Sequence, residues 1–539
     1  MKKCMIKSKY INETNIISGA QYLVDLLIEI GVDTVFGYPG APILPIYDVL
    51  SRSKKVKHYL VRHEQGAIHA SEGYAKSHNS FNKCGVVLVT SGPGFSNVVT
   101  GLANAYLDDT PLVVITAQVE NQEKNEFQDI DIINIAKPCT KNCYEINHIK
   151  DMEKIIKDAF AEALKIPQGP IVVTVKNSVL NDLIPNNSDY KVKQDIKVGV
   201  PHSYVKEMLK SLQYAKSPIM IVGGGAKFAK QEILEFAKIS HIPVVNTMMG
   251  TGCVDEISNG MIGVNGDVEL NKKIENADIV IAVGTRFTNR TTSDKKEFLR
   301  KSKIYNINIA ENCSSNVQIE RNLTGEANII LQHIIGTIKA QNIMFNVNYR
   351  WIESFAETKV DEDVSKFTTE NVLKTIHKYT AKYYPTITTD VGLHQISCAK
   401  IFKTSDSNHF LTSGGLGTMG FGLPASIGAQ IANPNALVMV ISGDGSFQMN
   451  MQELGTIAQY NLPIKIFIIN NSSLGMIAQN QKKNYNKTYQ SDMLNPNFSS
   501  IANAYGILSY KVTSVQQLEQ VLKEIFVCKK AVLIDCQVV

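Results

Sequence analysis

Surplus charge of one sign, cysteines in pairs and long apolar runs are all scarce in this sequence, and each shortage excludes a class of protein. Lys plus Arg number 55 against 50 Asp plus Glu, a formal net charge of +5 in 539 residues, with no basic stripe interleaved with aromatics. Nucleic acid is therefore not an expected partner. No apolar stretch is long enough to span a bilayer, and Met1–Lys9 lacks the apolar core of a signal peptide, so the expectation is a cytoplasmic protein without membrane contact. Nine cysteines are an odd number. The one close pair, Cys139 and Cys143, could share a helical face, but no second pair of Cys or His ligands accompanies it, so free thiols are expected and zinc is not.

What is present is alternation. A chain of this length exceeds one core and suggests about three domains. Helical and apolar strand-like stretches alternate from Ile16 to Val179, with strands expected at Thr34–Gly37, Gly85–Thr90, Pro111–Thr116 and Pro170–Val175. A second unit has expected strands at Pro218–Val222, Pro243–Val245, Ile279–Val283 and Ile304–Ile309, and a third at Ile387–Thr389, Leu437–Ile441, Ile464–Ile469 and Ala531–Ile534. Such alternation implies parallel sheets covered on both faces, hence an α/β fold of three consecutive parallel-sheet domains, at 1–185, 198–345 and 365–539. The polar stretch Asn181–Lys197 reads as a linker, 345–367 as a connector, and the first and third units as two versions of one plan.

Two strand ends carry the chemistry. Asp444, in Gly443-Asp444-Gly445-Ser446, and Asn471, in Asn470-Asn471, each follow a buried-strand run, so both side chains emerge where open α/β sheets bind ligands. A carboxylate and an amide oxygen suit Mg2+, which borrows the rest of its shell from water and a phosphate ligand. Gly443 and Gly445 allow close approach of a diphosphate, and Ser446 is expected at a helix start that offers N–H groups. Together the stretch resembles the thiamine diphosphate binding motif.

Further blocks extend that resemblance over nearly the whole chain to the catalytic large subunit of acetohydroxyacid (acetolactate) synthase. They are Val35–Gly40, Arg62–Ala75, Thr90–Gly94, Phe127-Gln128, Asp390–Gly392, Gly414–Pro424, Gly443–Glu453 and Leu474–Met476. The resemblance implies thiamine diphosphate, Mg2+ and a non-redox FAD as cofactors, and decarboxylation of pyruvate followed by joining of the two-carbon unit to a second carbonyl substrate. With a second pyruvate the product is 2-acetolactate. By the same resemblance Glu64 activates the cofactor's aminopyrimidine, Gln128 reaches the reacting carbonyl oxygen beside Phe127, and Met419 props the cofactor. Gly40, Pro93, Asn97, His394, Gly417, Leu474, Gly475 and Met476 join Gly443, Gly445 and Ser446 around the cofactor, while Asp444, Asn471 and the Ser473 carbonyl hold the metal. Gly223, Gly224, Gly225, Gly263, Gly266 and Arg286 fall on the flavin, and Arg290 on the acceptor's carboxylate.

Departures gather around the acceptor and the flavin. Asn480 stands for a family tryptophan, Thr288 and Asn289 for two acidic residues, Asn265 for a histidine, Asn308 for an acid, Leu393 for a glutamine and Ala41-Pro42 for Gly-Ala. The loop from Gln118 to Phe127 is shorter than the family form, and the sequence ends at Val539 where relatives continue with a tail. These changes leave a bulkier ketone, such as a nucleotide-linked keto-sugar, as an alternative acceptor. A flavin oxidoreductase is disfavoured because the flavin blocks are the altered ones, and a non-catalytic paralogue because Glu64 and the metal pair are present. The resemblance also implies a site shared between subunits of a homodimer or homotetramer; a small regulatory subunit and the pathway served stay open.

Overall fold

The computed structural model describes residues 16–78, 82–118, 127–185, 202–292, 298–310, 316–355, 366–404, 409–526 and 528–539. Met1–Lys9, the loop residues Val119–Glu126, most of the linker and connector residues 356–365 lie outside them. Three six-stranded sheets, each wholly parallel, follow one another along the chain.

The first sheet runs, edge to edge, Lys57–Leu60, Thr34–Gly37, Gly85–Val89, Leu112–Gln118, Pro170–Lys176 and Asn142–Ile146. Numbered by chain position within the unit, that order is 2-1-3-4-6-5. The third sheet, Phe410–Leu411, Thr386–Thr389, Val438–Gly443, Lys465–Asn470, Val532–Gln537 and Leu508–Val512, has the same order. The expected likeness of the first and third units is thus a shared topology. The middle sheet differs. Its strands Ser258–Met261, Val244–Asn246, Pro218–Val222, Ile279–Val283, Lys303–Asn308 and Arg321–Thr324 run 3-2-1-4-5-6, the dinucleotide-binding order. A ribbon of Ile16–Ser18 paired antiparallel with Leu183–Pro185 ties together the two ends of the first unit.

In each sheet the strand order reverses beside the first strand of the unit, and the crevice at that reversal, beyond the strands' carboxyl ends, is where ligands bind. In the first unit Gly37–Gly40 and Thr90–Gly94 flank it, in the middle unit Gly223 and Gly284, and in the third Asp390–His394 and Gly443–Ser446.

The first and third units share one core. Phe36, Phe95 and Ile68 belong to the same buried cluster as Phe447, Ile457 and Ile466. Helix Glu64–Lys76 lies directly on helix Gly422–Ala432: a Cβ on Gly73 would fall 2.0 Å from the Ala425 carbonyl oxygen, and one on Gly428 1.8 Å from that of Ala70. At the end of this seam Glu453, fully buried, accepts the N–H groups of Arg62 at 3.0 Å and His63 at 3.1 Å, and the Thr456 hydroxyl at 2.6 Å. Desolvation pushes its carboxyl up to about 7 against the opposing effect of those donors.

The folded protein therefore favours the neutral form of Glu453. Its contribution to stability is fully present below its ordinary value of 4.5 and is lost as pH rises to about 7. At about 1.4 kcal/mol per pH unit the full change is about 3 kcal/mol. Wild type should lose more stability than Glu453→Gln between pH 4.5 and 7; equal slopes in denaturant unfolding across that window would refute it.

The helical face that the spacing of Cys139 and Cys143 allowed is not formed. Cys139 ends the short turn Lys137–Cys139, whereas Cys143 lies in the edge strand Asn142–Ile146, where its sulfur is 3.2 Å from the Thr140 hydroxyl. They share no helix, because the chain turns into a strand between them; both are free thiols. Among the described residues no helix is long and apolar enough to cross a membrane, and no group of three or more His, Cys, Asp or Glu is placed to hold a metal.

Candidate active site

Glu64 is the first residue of helix Glu64–Lys76, whose N-cap His63 accepts the Gln65 N–H on Nδ1. Asn97, on helix Pro93–Leu107, donates to Glu64 Oε2 at 2.9 Å. No described residue donates to Oε1, which is left facing the crevice wall near Gly94. Pro93 opens its helix, and Gly40 is pressed so close to Thr90 that a Cβ would lie 2.4 Å from that residue's own. Gln128 adopts φ 65° and stands against Gly92, while Phe127 is 85 % exposed.

A second group lies at the reversal of the third sheet. Gly443 pairs in register with Ile469, so Asp444 and Asn471 leave neighbouring strand ends. Asp444 is 2 % exposed; burial raises its carboxyl, while donation from Asn495 at 2.6 Å and from backbone N–H groups works against the rise. The Asn471 side-chain oxygen accepts the Ser473 N–H at 3.2 Å. His394 accepts the Gly443 N–H on Nε2 at 3.2 Å, and burial lowers it to about 4, so it is a neutral ring at pH 7. The helix after this strand starts at Asp444, two residues before the expected Ser446, whose hydroxyl instead donates to the Val391 carbonyl at 3.2 Å.

The surroundings fit a metal-bound diphosphate. All the candidate ligands are hard oxygens, as Mg2+ requires. The cradle also needs its glycines: a Cβ on Gly443 would fall 2.8 Å from the His394 ring, on Gly445 2.9 Å from Leu474, and on Gly475 2.8 Å from the Asn471 amide. Met476 follows in helix Gly475–Tyr485, which buries none of its side chains; Asn480 is exposed on it.

A third group is the loop Gly414–Gly420, carrying Gly417 and Met419. Two first-unit residues hold it. Asn104 Oδ1 accepts the Ser413 hydroxyl at 2.5 Å and the Thr418 hydroxyl at 3.0 Å, and Asp108 accepts the N–H groups of Gly414 and Gly415. Arg290, from the middle unit, brings its guanidinium to the same loop, where a Cβ on Gly417 would lie 3.4 Å from it. That guanidinium has no ion pair or hydrogen bond among the described residues. Nor does a hydrogen bond between described residues join Glu64 to the Asp444 group.

Beside Arg290 opens a cavity of about 930 Å³, within the range of cofactor pockets. Gly223, Gly224, Gly225, Gly284 and Arg286 line it. The glycines fit close approach by a dinucleotide, since a Cβ on Gly223 would fall 2.5 Å from the Gly284 carbonyl oxygen. Arg286 is already engaged, pairing with Asp109 at 3.2 Å and donating to the Leu107 carbonyl at 2.7 Å. Gly263 and Gly266 shape the adjoining turn, and Asn265 between them reaches the lining. Asn308, which stands for the family's acid, spends its amide on the Thr285 carbonyl and the Ile309 N–H, whereas Glu326, two residues beyond the neighbouring strand, is among the residues lining the cavity.

Asn104, Asp108, Asn495 and Glu326 were not singled out in the sequence. The first three act on residues distant in the chain, and no local pattern marks them.

Comparison with protein families matches each of the three units. The thiamine pyrophosphate enzyme N-terminal TPP binding domain matches residues 17–135, the central domain 205–334, and the C-terminal TPP binding domain 390–536. Fold and matches together define a thiamine pyrophosphate enzyme, with thiamine diphosphate as its cofactor. The chain is 34 % identical to the acetolactate synthase large subunit of Haemophilus influenzae, over 97 % of its own length and 94 % of the relative's. It is 37 % identical to that of Cyanidium caldarium (98 % and 94 % covered), and 35 % identical to a probable acetolactate synthase large subunit of Methanococcus aeolicus (96 % and 91 %). The chain belongs to the acetolactate synthase large subunit family.

Proposed function

We propose that this enzyme decarboxylates pyruvate and joins the two-carbon unit to a second 2-oxo acid, giving 2-acetolactate. The observation that carries the choice of acceptor is Arg290: a guanidinium beside the loop of Gly417 and Met419, without an ion pair among the described residues, is a ready partner for a carboxylate. Bound thiamine diphosphate supplies the electron sink for decarboxylation. Glu64, anchored by Asn97 through one oxygen, has the other free to exchange a proton with the aminopyrimidine. Asp444, Asn471 and the Ser473 carbonyl hold Mg2+, and Gly443, Gly445, Ser446, His394, Leu474, Gly475 and Met476 enclose the diphosphate. Gly40, Pro93 and Asn97 line the aminopyrimidine side, Met419 props the cofactor, and Gln128 with Phe127 faces the reacting carbonyl.

FAD occupies the middle cavity as a structural group, on the support of its volume and glycine cradle. The active unit is a homodimer or homotetramer whose sites form between the first domain of one copy and the third of another, with domains at 1–185, 198–345 and 365–539. The relatives' name, large subunit, supports a small regulatory partner.

Pyruvate with thiamine diphosphate and Mg2+ should release CO2 and yield acetolactate; no CO2 release with any acceptor present would end this reading. Loss of a charge-assisted contact costs about 1.5–3 kcal/mol, so Arg290→Gln should lower acetolactate formation by about 10- to 100-fold. Single-turnover CO2 release should stay near wild type; equal losses in both would take Arg290 off the acceptor. A polar, exposed Asn480 on an open helix favours one further reading, a bulkier ketone such as a nucleotide-linked keto-sugar. Product analysis with both acceptors competing decides between them.

A further inference from the structure

Asn495 lies outside every block that suggested a function, yet its side chain ends on the proposed metal ligand. Its amide Nδ2 donates to Asp444 Oδ2 at 2.6 Å and to Asn470 Oδ1 at 2.9 Å, and its Oδ1 accepts from Gln448 Nε2 at 3.0 Å. Both N–H groups and the oxygen are thereby used, a pattern that an aspartate cannot reproduce because it has no N–H to give. Asn470 is fixed in turn by donating to Asp535 on the last strand at 3.0 Å.

The backbone delivers Asn495 to this place. Residues 491–493 return along the metal loop: Leu474 N–H donates to the Ser491 carbonyl at 2.7 Å, Met493 N–H to that of Ser472 at 2.9 Å, and Ser473 bridges Asp492 antiparallel. The loop offering the Ser473 carbonyl and the segment holding Asp444 are therefore one unit.

We propose that Asn495 is a positioning residue of the metal site, tying down one oxygen of Asp444 so that the other is presented to the cation. This rests on the reading of Asp444 and Asn471 as Mg2+ ligands. An untethered carboxylate can rotate or chelate through both oxygens, a poor match to the tight octahedron of Mg2+, and partners that orient a ligand typically change metal affinity by about 10- to 100-fold.

The test measures thiamine diphosphate retained by the full-length protein in equilibrium dialysis as Mg2+ is varied. Asn495→Ala should raise the half-saturating Mg2+ by about 10- to 100-fold, with cofactor retention recovered at high Mg2+. An unchanged Mg2+ dependence in a wild type that requires Mg2+ overturns the proposal. So does a fall in melting temperature of the metal-free protein without a shift in Mg2+ dependence, the mark of a purely structural role. If wild type retains the cofactor with no divalent cation, the metal reading itself fails. Should Asn495→Ala not fold, Asn495→Ser, which is too short to reach Asp444, is read against the same outcomes.

Discussion

Glu64→Gln is expected to slow CO2 release from pyruvate by about 10²- to 10⁴-fold, the range that a positioned acid or base contributes. The replacement keeps the size of the side chain and an oxygen for the Asn97 donor, now 2.9 Å from Glu64 Oε2. What it removes is the exchangeable proton at Oε1. The helix should be little affected, because its N-cap is the His63 ring and its first turn is docked through the Arg62 and His63 N–H groups on Glu453. Exchange of the cofactor's thiazolium proton into deuterated water should fall in step with turnover, while thiamine diphosphate and Mg2+ affinities stay close to wild type. Turnover at the wild-type rate would remove Glu64 from the mechanism.

Gly428→Ala should destabilise the protein by about 3 kcal/mol or more, at the upper end of what overpacking costs. The sign is the informative part. In an exposed helix interior the same replacement stabilises by about 0.5–1 kcal/mol, since alanine loses less backbone entropy than glycine. Here the new Cβ would meet the Ala70 carbonyl oxygen at 1.8 Å and the Tyr74 nitrogen at 2.5 Å, both backbone atoms that cannot rotate away. Helices Glu64–Lys76 and Gly422–Ala432 must separate, displacing Glu64's helix and the one that follows the Met419 loop. Gly336, in helix Ala327–Gln341, is the matched control, for nothing lies within 4 Å of its added Cβ. Gly336→Ala should raise the unfolding midpoint in urea and Gly428→Ala should lower it; a rise in both would show that the two helices are not in contact.

Four strands that escaped the sequence differ in one physical respect from four that were legible in it. Gly85–Val89, Pro218–Val222, Ile279–Val283 and Val438–Gly443 are buried at every position, being covered by helices on both faces, and so read as unbroken apolar runs. Asn142–Ile146, Ser258–Met261, Arg321–Thr324 and Leu508–Val512 were missed, and each is an edge strand with most positions partly open to solvent. An edge strand need not be continuously apolar, and its place is set by the neighbour that it pairs with. Without those edges the common 2-1-3-4-6-5 order could not be read.

The site divides in a similar way. Asp444, Asn471 and Glu64 were recognisable because each sits at a strand or helix end whose local sequence announces it, with glycines where backbone must come close. Cys139 and Cys143 show the limit of spacing, which suggested one helical face where the chain makes a turn and a strand.

The sequence by itself determined the fold class, the cofactor and the residues at the strand ends, because buried parallel strands and close-approach glycines leave marks within a few residues. Only the tertiary structure decided what holds those residues in place. Asn104 on the Met419 loop, Glu453 beneath Glu64 and Asn495 on Asp444 are joined to their targets by hydrogen bonds across 309, 391 and 51 positions of chain. A hydrogen bond depends on distance in space, and at such separations that distance exists only once the sheets have formed and packed.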